Sequence, residues 1–486
     1  MKTLPFVAAE GVARAPLVFV LGGLCGSLAL AGRGVDPAIA ALTAPLFTLS
    51  LILLFSERYP PAFFLCAALL VSLTLLASLR CHGALMPRTV PDGSFHDGGE
   101  VVYERPWGGQ RTVIVDGARG RFLMKVPVDK GVREGDGILL SGRAIPIRTR
   151  RDSSFREDRY WRARGAVFEV VPEEMTVRRE RGWSLPARRT ALRERMLRVL
   201  PERTRGYLLA ALLGVRDPDL AERHRRWGTA HLLAVSGFHV GLVSLWTWRA
   251  LRSRLIAPRV GRPMAVLLVS LFVWGYALLA GGAPSALRAV FMIQCVLLGQ
   301  LAGRRGNPVN SVAFAAICLL LWNPVWFWDV GWRLSVISAL LLSALYGRVE
   351  GWKTLAAASP LVWLATFPQA SAVFGAVPAA GMAVNLAALP VFGYLYPAGL
   401  LLSLPALLGL PGGSVAARAA EGLFSLWEGA AEGVVRIIPW TVSWTPLLAA
   451  AGAGLFLFVV AWGAYPMRLR TVAAAGLSLI AGVALL

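Results

Sequence analysis

The sequence predicts a polytopic α-helical membrane protein, of about 11–13 spans or part-spans, carrying a small β-barrel (OB-like) domain. Three observations lead there. Of 486 residues, 56% are hydrophobic and only 16% charged, against about 25% charged in a soluble globular protein, and the mean hydropathy is +0.58. Apolar runs of membrane length recur at both ends of the chain. Between them, residues 80–226 hold 31 of the 50 basic and 20 of the 28 acidic residues. A disordered chain, a collagen-like chain and an ordinary cytosolic enzyme are excluded by this composition.

Three apolar runs open the chain, at 16–32, 37–55 and 60–79, so residues 1–79 are assigned to N-terminal transmembrane helices. No small-residue cleavage site follows the first run, which is therefore read as a span and not as a cleaved signal. Residues 80–172 read as a β domain. The runs 98–107, 110–115, 122–128, 137–147 and 166–171 are β-branched or aromatic and are separated by Gly, Asp and Pro. Five short strands in so little chain suggest an OB-like barrel or another small β-sandwich.

Residues 173–230 read as basic helices. Leu185, Leu192, Met196, Leu197 and Leu200 recur at helical spacing against an arginine-rich face. That face suits either anionic lipid headgroups or a polyanionic ligand. Residues 231–486 form a transmembrane domain. Its candidate spans are 231–248, 263–281, 284–302, 308–322, 328–346, 354–372, 376–391, 393–410, 444–464 and 470–486. Residues 205–215 are too short to cross, and 414–438 read as an amphipathic helix.

The net charge of +22 is unusual on so apolar a chain. In the last block, basic residues gather in loops: Arg249, Arg252, Arg254, Arg259 and Arg262; Arg304 and Arg305; Arg348 and Lys353; Arg468 and Arg470. The positive-inside rule assigns all four clusters to the cytoplasm. The N-terminus then lies inside, and residues 80–226 lie outside the cytoplasmic membrane. Cys25, Cys66, Cys81, Cys295 and Cys318 have no paired spacing, so no disulfide, cofactor or metal site is expected. No phosphate-binding Gly-rich loop with Lys-Ser/Thr occurs, so no ATPase activity is expected.

Polar residues at membrane depth are costly and mark packing or a pathway. The segment His231–Gly241 holds His231, Ser236, Gly237 and His239 in an apolar run. On an unbroken helix His231 and His239 would lie ~80° apart, which disfavours shared metal ligation. Gly281-Gly282-Ala-Pro-Ser285 ends one helix and starts another, with Ser285 as a candidate cap. Arg288, one turn on, is the only charge of its span and either snorkels or faces inward. Asp329 and Arg333 have the i,i+4 spacing of a helical ion pair. Asn385 lies in a run that Pro390 is expected to break.

The segments Gly214-Val-Arg216, His231–Gly241 and Ala280–Arg288 resemble the ComEC family of competence DNA-uptake channels. Asn323-Pro324, Asp329–Ser335 and Asn385 follow in the order of that family's membrane core, and Phe155, Tyr160-Trp161 and Arg164-Gly165 resemble the end of its OB-like domain. Trp332-Arg333 depart from the family's more usual Phe-Gln type pair. The resemblance implies an inner-membrane channel that passes one DNA strand into the cytoplasm during natural transformation. It also implies a short form without the C-terminal metallo-β-lactamase-like nuclease domain, because the last histidine is His239. Expected partners are single-stranded DNA, membrane lipids, a periplasmic DNA receptor, a separate nuclease, and a cytoplasmic ATPase/helicase or single-strand-binding protein.

Binders of single strands combine a basic groove with aromatic platforms. Candidates are Arg148, Arg150, Arg151, Arg156 and Arg159 beside Tyr160 and Trp161, with Tyr103, Trp107 and Phe122 on strands. The residues alone also admit a secondary transporter for a smaller anion, or an intramembrane hydrolase built on Ser236 and His239.

Overall fold

The computed structural model describes residues 17–32, 35, 39, 72–80, 83–84, 94–107, 109–148, 156–179, 182–253, 256–303, 307–345 and 352–464. Arg150, Arg151, the expected span 470–486 and, apart from residue 39, the expected span 37–55 lie outside the described residues, as does most of 60–79. In chain order the elements are α1 (Leu17–Gly32), β1 (Ser94–Trp107), β2 (Gln110–Gly117), β3 (Gly120–Val126), β4 (Gly137–Ile145), α2 (Glu157–Arg162) and β5 (Phe168–Arg178). Then come α3 (Leu185–Val199), α4 (Glu202–Leu213), α5 (Pro218–Arg226), α6 (Gly237–Leu251), α7 (Arg262–Leu279), α8 (Pro284–Leu301) and α9 (Pro308–Trp322). The rest are α10 (Val330–Leu345), α11 (Trp352–Phe374), β6 (Val377–Pro378), α12 (Ala380–Leu408), α13 (Gly413–Ile437), β7 (Thr441–Val442) and α14 (Pro446–Ala464). The chain divides into two compact units, one of residues 1–82, 206–399 and 422–486, the other of residues 83–205 and 400–421.

The second unit contains a closed five-stranded barrel of order β1-β2-β3-β5-β4. All pairings are antiparallel except β3 with β5. Alternate residues turn inward, so Val101, Val113, Val115, Met124, Ile138 and Leu140 form its core. Phe95, Phe122 and Phe168 meet there, Phe95 edge-on to the other two at 5.5 and 5.3 Å. Close strand crossings demand glycine: a Cβ on Gly99 would stand 2.1 Å from Asp116 O, and one on Gly142 2.2 Å from Val171 O. The β2–β3 turn is held by the Asp97 carboxylate, which accepts from the amides of Ala118 (3.3 Å) and Arg119 (3.0 Å).

β5 continues past Val171 to Arg178, into sequence expected to be helical. Its outer half carries Pro172, Glu173 and Glu174, but pairing with β4 holds it extended. The α3 helix also departs from expectation. Its arginine-rich side was assigned to headgroups or a polyanion, yet Arg189 pairs with Glu134 at 3.3 Å and Arg193 pairs with Glu104. Thr190 donates to Glu134 O at 2.7 Å, while Leu185 and Leu197 are exposed. Burial beside Glu104 and Glu134 thus consumes part of the basic charge. The amino end of α4 is closed by a remote carboxylate: Glu421 accepts from the amides of Arg203 (3.1 Å) and Thr204 (2.8 Å) and from the Thr204 hydroxyl (2.8 Å).

The first unit is helical. Among the described residues, α7, α8 and α12 are long and apolar enough to cross a membrane, and α1, α9, α10 and α14 contain shorter apolar stretches. Helices α6, α7 and α8 pack mutually, α8 on α9, α9 on α10, and α10, α11 and α14 mutually, with α1 against α9. Two expectations are corrected. The proposed span 231–248 is not one helix: a 3-10 turn at Ala230–Leu232 precedes α6, which starts only at Gly237. The proposed pair 376–391 and 393–410 is one helix, α12, unbroken at Pro390. Its Ala388, Phe392 and Tyr396 are buried against Tyr207, Phe424 and Trp427, and this packing outweighs the lost backbone bond.

Candidate functional site

Polar side chains gather at the amino end of α6. Ser236 is extended there (φ −127°, ψ 172°) and its side chain does not cap the helix. Its Oγ instead stands 3.2 Å from His239 Nδ1. His239 is 3% exposed and its ring lies 4.8 Å from that of Tyr396. Among the described residues His239 Nε2 is buried with no hydrogen-bond partner, and no carboxylate orients the ring as a hydrolase would require.

Gly237 lets α8 approach. A Cβ there would lie 3.4 Å from Arg288 Nη2 and 3.5 Å from the Ala289 Cβ. Arg288 is 5% exposed, so it does not snorkel. Its Nε donates to Ser335 Oγ at 3.1 Å, Nη2 donates to the same oxygen, and Nη1 lies 3.2 Å from Met292 Sδ. Ser285 is not a cap. It donates to Val235 O at 2.7 Å and ties α8 to the segment before α6, while Ala283 occupies the cap position. Gly281 (φ 87°) and Gly282 (φ 64°) take the left-handed turn that ends α7. Ser236, Gly237, His239, Ser285 and Arg288 are thus brought together, with Ser335 joining from α10.

The other polar residues lie elsewhere in the unit. His231, on the 3-10 turn, is exposed. Asp329 caps α10, its carboxylate accepting from the Trp332 amide at 2.9 Å and its carbonyl from the Arg333 amide at 3.1 Å, so Asp329 and Arg333 keep the helical i,i+4 spacing. Arg333 donates to Gln369 Oε1 (3.0 Å) and to Trp328 O (3.2 Å). Asn385 donates to Gly228 O at 3.2 Å, and Tyr396 to Leu232 O at 2.9 Å, so α12 anchors the segment leading to α6.

Sequence reasoning missed a buried histidine. His224 Nε2 lies 2.9 Å from Tyr207 Oη, and Nδ1 lies 2.9 Å from Thr229 Oγ1. Burial pushes its pKa down to about 3. Its only sequence signal is a histidine between arginines on a short amphipathic helix.

On the barrel, Tyr103, Tyr160 and Trp161 cluster, with Trp161 4.9 Å from Tyr160 and 6.3 Å from Tyr103. Two further residues, Arg105 and Arg164, complete the group. Arg105 donates to the Tyr160 hydroxyl, and Arg164 stacks on the Tyr160 ring at 3.6 Å. Two assignments are corrected. Phe122 faces the barrel core, and Trp161 is buried with Nε1 donating to Glu157 at 3.1 Å, so neither offers a face for stacking. Trp107 ends β1 opposite Gln110. Arg156 pairs with Asp158 at 3.1 Å, Arg148 is exposed, and Arg159 is partly buried on α2.

Together these features define a mostly helical protein with a five-stranded barrel and, among the described residues, three helices long and apolar enough to cross a membrane. The family model for competence proteins matches residues 212–470. The chain belongs to the competence protein family. It is 31% identical over 158 residues to ComE operon protein 3 of Bacillus subtilis, covering 31% of this chain and 20% of that protein. It is also 31% identical over 262 residues to Competence protein ComA of Neisseria gonorrhoeae, covering 50% of this chain and 34% of that protein. The chain therefore spans well under half the length of these relatives. No solved structure matches.

Proposed function

We propose that this chain is a conduit in the cytoplasmic membrane that takes up DNA as a single strand during natural transformation. The observation that carries the reading is the polar junction of Ser236, Gly237, His239, Arg288 and Ser335, with His239 and Arg288 buried in the helical unit. Buried polar groups at membrane depth are a signature of a pathway. The competence family supplies the cargo class.

In this reading the barrel is OB-like and extracytoplasmic, the N-terminus is cytoplasmic, and Arg105, Arg148, Arg164, Tyr103 and Tyr160 meet the incoming strand. The strand then passes the junction toward the arginine-rich loops. Driving force comes from partners or the proton gradient. A DNA receptor, a separate nuclease and a cytoplasmic motor or single-strand-binding protein complete the route. The test is internalisation of labelled transforming DNA in a deletion strain complemented with wild type, His239→Ala or Arg288→Ala. Expected is a loss of about tenfold or more in both variants at equal protein level. Wild-type uptake in both removes the junction from the path.

A further inference from the structure

We propose that Arg288 and the amino end of α6 form a subsite for a single phosphate group, which rests on the conduit reading and sharpens it. Arg288 is a guanidinium buried in the helical unit, and its contacts are a serine hydroxyl and a thioether. Among the described residues no carboxylate reaches it. The one nearest in sequence, Asp329, is engaged as a helix cap. A guanidinium does not deprotonate, so this cation has only neutral partners in a medium where an unpaired charge is expensive. It also carries five N–H donors, more than Ser335 and Met292 use.

The second observation is independent of the arginine. At the start of α6 the amides of Gly237, Phe238 and His239 precede the first intrahelical bond, which runs from Val240 N to Ser236 O. Ser236 gives them no side-chain cap. The positive end of that helix dipole therefore has no side-chain cap. These two electropositive elements meet: Arg288 Nη2 lies 3.4 Å from the position of a Cβ on Gly237. His239 Nε2, buried and unpartnered, is a further polar atom on the first turn of α6.

Two positive features in contact, with neutral partners only among the described residues, define an anion site. The donor set is a fork, a run of backbone amides and two hydroxyls, Ser236 and Ser335. It suits a tetrahedral oxyanion with several acceptor oxygens better than a single-point halide. Phosphate is the chemistry shared by a DNA backbone, a lipid headgroup and the free ion. In the conduit reading the occupant is one phosphodiester of the passing strand.

The test uses the full chain in detergent. Inorganic phosphate is titrated against chloride at constant ionic strength, and the melting temperature is read. Phosphate is expected to raise the melting temperature of wild type, less that of Arg288→Lys, and not that of Arg288→Gln. Ser335→Ala is expected to need about tenfold more phosphate for the same shift. Without phosphate, Arg288→Gln is expected to melt higher than wild type, because it removes an unpaired buried charge. Equal phosphate shifts in wild type and Arg288→Gln overturn the subsite. Two further arms identify the source. Competition by oligothymidylate, but not by its uncharged methylphosphonate analogue, supports a DNA phosphodiester. Competition by phosphatidylglycerol nanodiscs and not by the oligonucleotide supports the phosphate subsite while overturning the conduit reading at this junction.

Discussion

The Arg164 guanidinium carbon lies 3.6 Å from the centroid of the Tyr160 ring. One face of the tyrosine is therefore already covered by a cation, in the arrangement that a nucleobase and a phosphate would otherwise share with it. Arg164 is expected to carry a phosphate contact. Its replacement by alanine is expected to lower the slope of log affinity against log salt by about 0.7 for single-stranded DNA. Arg164→Lys is expected to keep the slope. The measurement is oligonucleotide binding by the full chain over a salt series, and an unchanged slope in Arg164→Ala removes the pair from the binding face.

Phe122 gives the opposite expectation. It is fully buried in the barrel with Phe95 and Phe168. Phe122→Ala is expected to destabilise the barrel by about 3–5 kcal/mol through lost burial and the cavity left behind. DNA affinity at temperatures where the barrel remains folded is expected to stay as in wild type. A selective loss of affinity without loss of stability would restore Phe122 as a stacking platform.

His224 makes the helical unit acid-sensitive. Its pKa is about 3 in the folded chain against an ordinary value of 6.5. A depressed folded value means that the neutral ring is favoured on folding. Its contribution is complete above pH 6.5 and is lost progressively as pH falls toward 3. Between pH 6.5 and 5 the loss is expected to reach roughly 2 kcal/mol. Melting in detergent at the two pH values is expected to differ less for His224→Gln than for wild type. Identical pH dependence in both would show that another group governs acid stability.

Gly228 has φ 70°, and a Cβ on it would stand 2.6 Å from Gly381 Cα. Both the left-handed backbone and the backbone contact oppose a side chain. Gly228→Ala is expected to cost roughly 2–5 kcal/mol and to loosen the Asn385 bond to Gly228 O. Denaturant unfolding of the purified chain measures the cost. A loss no larger than that of Gly422→Ala, where a Cβ would meet nothing within 4 Å, refutes the argument.

Much of the barrel was legible because short apolar runs set off by turn residues are a local signal. The runs around Val113–Val115 and Phe122–Met124 are continuously apolar, as strands buried on both faces must be. The outer half of β5 was not legible, because Glu173, Glu174 and Arg178 give no apolar alternation and the strand is fixed by β4. Pro390 read as a break, yet α12 continues, since tertiary packing overrides a local preference. Arg288 could be picked out as the lone charge of its span. Its partner Ser335 could not, because serine is common in such helices and only the packing of α8 with α10 selects it. Tyr160 and Trp161 were indistinguishable as platforms, since one residue along a short helix separates a stacking face from a core side chain.

The carboxylate that closes the amino end of α4 lies 217 residues downstream of Thr204. A ribosome making about 5–20 residues per second delivers Glu421 roughly ten to forty seconds after Thr204 leaves it. Through that interval the barrel can form, but the first turn of α4 has no acceptor for its amides. The barrel unit is therefore completed only after α5 to α12 have been synthesised. Order of assembly is written into the chain: early strands first, the helices next, and the seal on α4 last. Truncation before residue 421 is expected to leave that helix end frayed even where the barrel is intact.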